Sequence, residues 1–194
     1  MNFCKHAVLL GALLLGGCVS YSTGDLAPVG TWPPAASTAA VKPNAYLRNT
    51  ALYQVNDGPA VAAAGAHADM WEKAVSETYQ QSGRFTRVST QKGEADLYAE
   101  STLTNHEEFV TASAFITGFT LFLIPSTAKN TFTLQTVFKD KDGKELGRIS
   151  KSESVRTWMQ LVLIVGLPFQ ADTRDVVREL ARSTLDEAVQ RKLL

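Results

Sequence analysis

The stretch FTLQTVFKDKDGKELGRISKSESV, residues 132–155, decides the fold. Phe132, Leu134, Thr136 and Phe138 alternate with Thr133, Gln135 and Val137, the period of two that sends side chains to opposite faces of a strand. Asp140-Lys141-Asp142-Gly143 is a turn, and residues 144–155 return as a second strand, so the pair is a β-hairpin. The second strand is polar on both faces, with Ser150, Ser152 and Ser154 on one of them. Such a strand makes poor core material and is expected at a sheet edge or a wet interface.

Working outward, residues 50–55 read as a first strand, stopped by Asn56-Asp57-Gly58-Pro59. A helix follows over residues 66–82, where Trp71, Ala74, Val75, Thr78 and Tyr79 recur at helical spacing and Gly83 takes the position after the helix end. Residues 85–89 form a short strand. Another opens where Ala95, Leu97 and Ala99 alternate with Asp96, Tyr98 and Glu100, and it extends toward Thr104. The chain ends in an amphipathic helix. Asp172 or Thr173 caps it, Asp175 lies in its first turn, and Arg191 and Lys192 lie in its last. Val176, Val177, Leu180, Ala181, Leu185, Ala188 and Val189 make its buried stripe. The expected fold is therefore α/β (α+β): one sheet of about five strands, with a helix after strand one and the C-terminal helix packed on it.

The first eighteen residues have a different character. Lys5 is a short basic start, residues 7–15 are apolar apart from Gly11, and Gly16-Gly17 are small. This is the pattern of a secretory signal and is too short to span a bilayer, which takes about 20 residues. Leu15-Gly16-Gly17-Cys18 resembles the lipobox of bacterial lipoproteins, which implies a diacylglycerol and an acyl chain (palmitate) on Cys18 as the mature N-terminus. Several chains together anchor a protein where one is marginal. Val19-Ser20 follows, without the aspartate that retains such proteins at the inner membrane, so the resemblance implies the periplasmic face of the outer membrane. Cys4, the other cysteine, leaves with the signal, so a disulfide within the mature chain is excluded. Residues 19–41, rich in Ala, Ser, Thr, Gly and Pro, read as a flexible tether, although Trp32 is odd in one. The expected organisation is 1–17 signal peptide, 18–45 lipidated cysteine and tether, and 46–194 a single periplasmic domain. Lysine plus arginine and aspartate plus glutamate stand at 19 each, so no basic excess attracts nucleic acid.

Two segments are far more apolar than their neighbours. Residues 112–125 contain Phe115, Ile116, Phe119, Leu121, Phe122, Leu123 and Ile124; residues 158–169 contain Trp158, Met159, Leu161, Val162, Leu163 and Ile164. Both are too short for transmembrane helices, and neither alternates like a membrane β-strand. In an antiparallel arrangement they emerge at one end of the sheet. Three roles compete: an enlarged core, a surface for a membrane or a subunit interface, and a pocket for an apolar ligand. The contact role singles out Phe115, Phe119, Leu121, Phe122, Leu123, Ile124, Trp158, Leu161, Leu163 and Ile164.

The helix running into Ser82-Gly83-Arg84-Phe85 with Val88 behind it, then Ala95-Asp96-Leu97, a hairpin and a C-terminal helix, resembles a group of outer-membrane lipoproteins. These are the curli-secretion lipoprotein, the lipoprotein activators of peptidoglycan synthases and the pellicle-polysaccharide lipoprotein. The short motifs cover about a tenth of the chain, and the element order covers the domain. The resemblance implies a three-layer α/β domain. In the curli-secretion lipoprotein, membrane hairpins are inserted at what look like the same two connections; here the inserts are shorter and do not alternate, which argues against a β-barrel pore.

The residues for chemistry are sparse. The mature chain has two histidines, His67 and His106, and His106-Glu107-Glu108 lacks the further ligands a zinc site needs, so these read as solvated loop residues. Asp140 and Asp142 with Gly143 lack the distal glutamate of a calcium loop. Glu94, Asp96, Glu100, Glu107 and Glu108 single out no coupled pair. No nucleophile elbow or phosphate-binding glycine loop is present. The expectation is a non-enzymatic lipoprotein without a further cofactor, acting by association with the membrane and with a protein partner or itself, in an envelope or export system. The alternative is a periplasmic lipoprotein holding a lipid or other apolar ligand between its two insertions.

Overall fold

The hairpin is the spine of the sheet, and every other strand is placed relative to it. The structure, a computed structural model, describes residues 17–34, 42–160 and 171–194. Among these, the chain runs β1 (Gly17–Ser22), β2 (Asn44–Val55), β3 (Val61–Ala62), α1 (Ala66–Gln81), β4 (Arg87–Ser89), β5 (Leu97–Phe109), α2 (Thr111–Phe119), β6 (Ser126–Asp140), β7 (Glu145–Gln160) and α3 (Thr173–Gln190). One mixed sheet carries the order β1-β7-β6-β5-β2-β3, with β4 beside β2. Strands β2 and β5 are parallel and joined through α1, since parallel neighbours need a crossover. Strands β5, β6 and β7 are antiparallel. The hairpin closes as expected: the Asp140 carboxylate accepts from the Asp142 and Lys144 amides at 3.0 and 2.9 Å, and Gly143 takes the left-handed backbone (φ 82°) the turn requires.

The alternation read from the sequence sets the inner face. Leu47 of β2, Ala99 and Leu103 of β5, Leu134 and Phe138 of β6 and Ile149 of β7 are buried against Trp71, Val75 and Tyr79 of α1 and Val177, Leu180 and Leu185 of α3. Helix α3 begins as expected, with the Asp172 carboxylate accepting from the Arg174 amide at 2.8 Å; Arg191 and Lys192 fall just past its end rather than in its last turn. Lys151 of β7 ties to Glu187 of α3 at 2.6 Å. That bond outweighs burial and, with Arg191 nearby, holds the Glu187 carboxyl below its usual range. Both long helices lie on the same face, so the described residues form two layers rather than the three implied by the resemblance. The opposite face carries Thr50, Thr102, Thr104, Thr131, Thr133, Gln135, Ser150 and Ser152.

Two strands exceed the expected five: β3, of two residues, and β1, which comes from the stretch read as tether. Strand β1 pairs antiparallel with β7 over Val155 to Gln160, so β7 is an edge only ahead of that stretch. Beyond β1 the arm stays docked. Buried Glu153 accepts from the Ser22 hydroxyl and from the amides of Gly24 (2.9 Å) and Leu26 (2.6 Å). The Val29 amide donates to Glu179 at 2.7 Å, and Arg182 lies 5.3 Å over the Trp32 ring, a cation–π contact. Trp32 and Leu26 both pack against the core. The expected tether is thus corrected for residues 18–34. Its composition speaks for weak self-association, whereas its partners are an unpaired strand edge and two carboxylates more than 120 residues away in sequence.

Candidate functional site: the apolar end beside Cys18

Five ends meet at one side of the sheet: the starts of β1 and β6 and the ends of β2, β5 and β7. Register places Cys18 opposite Met159, and Met159 opposite Ser126. Cys18 therefore stands two strand spacings, about 10 Å, from Ser126. Ser126 immediately follows the first apolar segment. Residues 161–169 continue from the β7 end but, with Leu161, Leu163 and Ile164, lie outside the described residues.

The first apolar segment is no part of the core. Helix α2 buries only Thr117. Phe115 and Phe119 are 75% and 83% exposed, with rings stacked 6.5 Å apart, and Leu121, Leu123 and Ile124 are exposed beside them. Phe122 is exposed as well, though less. After α2 the chain doubles back through Leu121 and Phe122, both at positive φ (51° and 63°), while their amides donate to Gly118 and Thr117 carbonyls. Two bulky residues in the left-handed region are costly, about 1–2 kcal/mol each. This turn holds its side chains toward solvent rather than toward the sheet. Trp158 is exposed at the same end, on the sheet face opposite the long helices, and its indole N–H donates to the Tyr21 hydroxyl at 3.4 Å. Arg156 and Lys129 are register partners behind it; Lys129 is paired with Glu108 at 3.5 Å.

Of the residues considered for chemistry, His67 lies in α1, and Glu94 and Asp96 precede β5. His106, Glu107 and Glu108, read from sequence as loop residues, all lie in β5, which stays paired with β6 as far as Phe109. His106 Nε2 meets the Asn56 carbonyl at 2.9 Å. Glu107 accepts from the Tyr53 hydroxyl, and that bond, with burial behind it, raises the phenol to about 12, so Tyr53 remains a donor at neutral pH. Among the described residues, no three His, Cys, Asp or Glu side chains gather as a metal site. No described helix is long and apolar enough to cross a membrane.

One concavity escaped the sequence reading. A cavity of about 470 Å³ opens on the helix-covered side of the sheet, lined in part by Tyr53, His67, Trp71, Asn105, Glu107 and Phe132. Trp71 reads from sequence as helix core, and Asn105 lies one residue past the end expected for its strand. A signal was present: the parity that buries Leu97, Ala99 and Leu103 sends Asn105 inward too, and an inward amide at a strand end is unusual core material.

No family model matches the chain, and no curated protein matches it in sequence. Among solved structures, the fold is distantly similar to a minor lipoprotein from Acinetobacter baumannii. The TM-score is 0.41 at 13% identity, covering 76% of this chain and 92% of that one. It is also distantly similar to the PelC dodecamer from Paraburkholderia phytofirmans, with TM-score 0.31 at 9% identity, covering 88% of this chain and 95% of that one. Likenesses at this level concern the path of the chain and carry no role across.

Proposed function

We propose that this protein is a lipoprotein of the bacterial envelope, anchored through Cys18 at the periplasmic face of the outer membrane, and that it works without catalysis as a scaffolding component of an envelope or export assembly. One observation carries the reading: the cysteine of the lipobox-like Leu15-Gly16-Gly17-Cys18 lies at the same end of the sheet as the exposed apolar segment, about 10 Å from Ser126, the residue that follows that segment. Acyl chains on Cys18 bring that end to the bilayer, where Phe115, Phe119, Leu121, Leu123 and Ile124 remove apolar area from water. Trp158 sits at the level where amphipathic rings favour the interface. The docked arm shortens the leash, so the domain stands on the membrane instead of swinging from it. The polar sheet face then points away from the helices and is free to meet protein partners.

Metabolic labelling with palmitate tests the anchor: label and membrane fractionation are expected in the native chain and absent in Cys18→Ala. Binding of the Cys18→Ala chain, made without residues 1–17, to phosphatidylethanolamine–phosphatidylglycerol vesicles tests the surface. Residual binding that disappears in the Phe115→Ser, Phe119→Ser, Leu123→Ser variant supports it, and binding unchanged by those substitutions removes it. The mass of the lipidated chain in mild detergent, by light scattering, tests assembly, with a discrete oligomer expected and a clean monomer counting against self-association.

A further inference from the structure

The cavity beside Trp71 has two unpaired polar groups in its wall. Trp71 and Asn105 are 5% and 6% exposed, and both line it. The Trp71 indole N–H and the Asn105 side-chain oxygen are buried and have no hydrogen-bond partner. Buried polar groups are ordinarily paired, so two orphans in one wall point to something that pairs with them. They flank a common neighbour. Asn105 is the register partner of Phe132, and the Trp71 ring stands edge-on to Phe132 at 5.8 Å. Both atoms are closed to solvent in the unliganded chain, so a ligand reaches them through a side-chain rotation of the kind the soft terminal torsion of Asn105 allows.

We infer that this cavity binds a neutral, polyhydroxylated ligand, a sugar unit of a glycan. One orphan is a donor and the other an acceptor, and a hydroxyl is the uncharged group that accepts from the first while donating to the second. A peptide group offers both functions too, but fixed on opposite sides of one rigid plane, whereas each hydroxyl of a sugar ring does both and rotates to suit. The volume, about 470 Å³, lies in the range of small-ligand sites. No lysine or arginine is among the lining residues, whereas Glu107 is, so an anionic ligand is disfavoured. A lipid chain would leave Trp71, Asn105 and the Asn130 amide stranded without partners. Val61, Ala62 and Val155 supply the apolar wall that the C–H face of a sugar ring needs. The site is independent of whether Cys18 carries lipid.

The test uses the full mature chain in a zwitterionic detergent, since alkyl maltosides present sugar head groups themselves. N-acetylglucosamine, glucose and cellobiose are titrated to millimolar levels while the indole N–H resonances are followed by NMR. Trp71→Phe assigns the Trp71 signal, removing the donor and keeping an aromatic ring. Asn105→Leu removes the acceptor and keeps the branched shape of the side chain. Saturable movement of the Trp71 resonance by at least one saccharide is expected. About tenfold weaker binding is expected in Asn105→Leu, with the melting temperature held or raised. Three results overturn the inference: no saccharide moves that resonance, saccharides bind Asn105→Leu and Trp71→Phe as they bind the native chain, or diglycine or laurate binds the cavity where the saccharides do not.

Discussion

Helices α2 and α3 spend their apolar residues in opposite directions. Helix α3 has 18 residues, a side-chain cap from Asp172, and a stripe of Val177, Leu180, Ala181, Leu185 and Ala188 that is entirely buried. Helix α2 has nine residues, no side-chain cap, and phenylalanines that face solvent. A nine-residue helix is marginal by itself in water, and an inward apolar stripe is what usually holds one. In α3 hydrophobicity serves stability. In α2 it faces solvent, and the lesson is that apolar content must be read together with the direction it faces.

The largest expected effect lies on the inward side. Leu180→Ala opens a cavity between α3 and the sheet and is expected to cost about 2–5 kcal/mol, read as a fall in melting temperature. The matched change on α2, Phe119→Ser, is expected to move stability by no more than about 0.5 kcal/mol while lowering vesicle binding. If Phe119→Ser unfolds the chain as Leu180→Ala does, the contrast between the helices collapses and α2 belongs to the core.

The docked arm is the next effect in size, and it bears on how close the apolar end is held to Cys18. Burial alone would raise the Glu153 carboxyl, but the bonds it accepts from Ser22 and the amides of Leu26, Gly24 and Asp25 outweigh that and hold it below its ordinary 4.5. Glu153→Gln is expected to cost about 2–3 kcal/mol, because charge-assisted acceptance by a buried carboxylate is lost. A group whose folded-state pKa is depressed contributes fully above its unfolded value, and that contribution fades as pH falls through the folded value. The Gly24 and Leu26 amides of the native chain are therefore expected to stay protected from hydrogen exchange at neutral pH and to lose protection in acid. In Glu153→Gln that acid step disappears; exchange unchanged by the substitution would show that the arm is held by Trp32 and Val29 instead.

What was legible in the sequence follows the range over which each signal acts. The periodicity of Trp71, Val75 and Tyr79, the Asp172 cap and the Asp140–Gly143 turn are local, and each element appears close to where its residues call for it. The same is true of the Phe132–Phe138 alternation, although β6 starts six residues earlier than that run. Strand β1 was not legible because its partner, Val155 to Gln160, lies over 130 residues away, and because proline- and alanine-rich composition reports only what a segment can do alone. The outward direction of Phe115 and Phe119 was equally hidden. Their composition is compatible with a core, and only the seating of α2, which buries Thr117 alone, leaves them in solvent.

Removing the Asp172 cap is expected to cost less than Leu180→Ala or Glu153→Gln, about 0.5–2 kcal/mol in Asp172→Ala, since one orphan amide at the start of α3 loses its acceptor. The uncapped α2 offers the reciprocal change: Val110→Asp places an acceptor at its start and is expected to stabilise the chain by a fraction of that amount, measured as the denaturant midpoint.

The smallest expected effect is also the most discriminating for the inner face. Tyr79 is fully buried, and burial raises its phenol to about 12 although the Ser101 and Thr136 hydroxyls pull the other way. Those two hydroxyls are bonded to each other at 2.8 Å, and the Tyr79 oxygen has no well-directed partner of its own. Its ring does the holding, stacked on Phe85 at 5.9 Å. Tyr79→Phe removes an unpaired buried hydroxyl and keeps the ring, so the unfolding midpoint is expected to stay level or to rise. A loss of more than about 1 kcal/mol would mean that the hydroxyl is paired in solution and that the inner face depends on a polar link as well as on packing. The difference between α3 and α2 would then lie in how each face satisfies its polar atoms, and not only in where it sends its apolar ones.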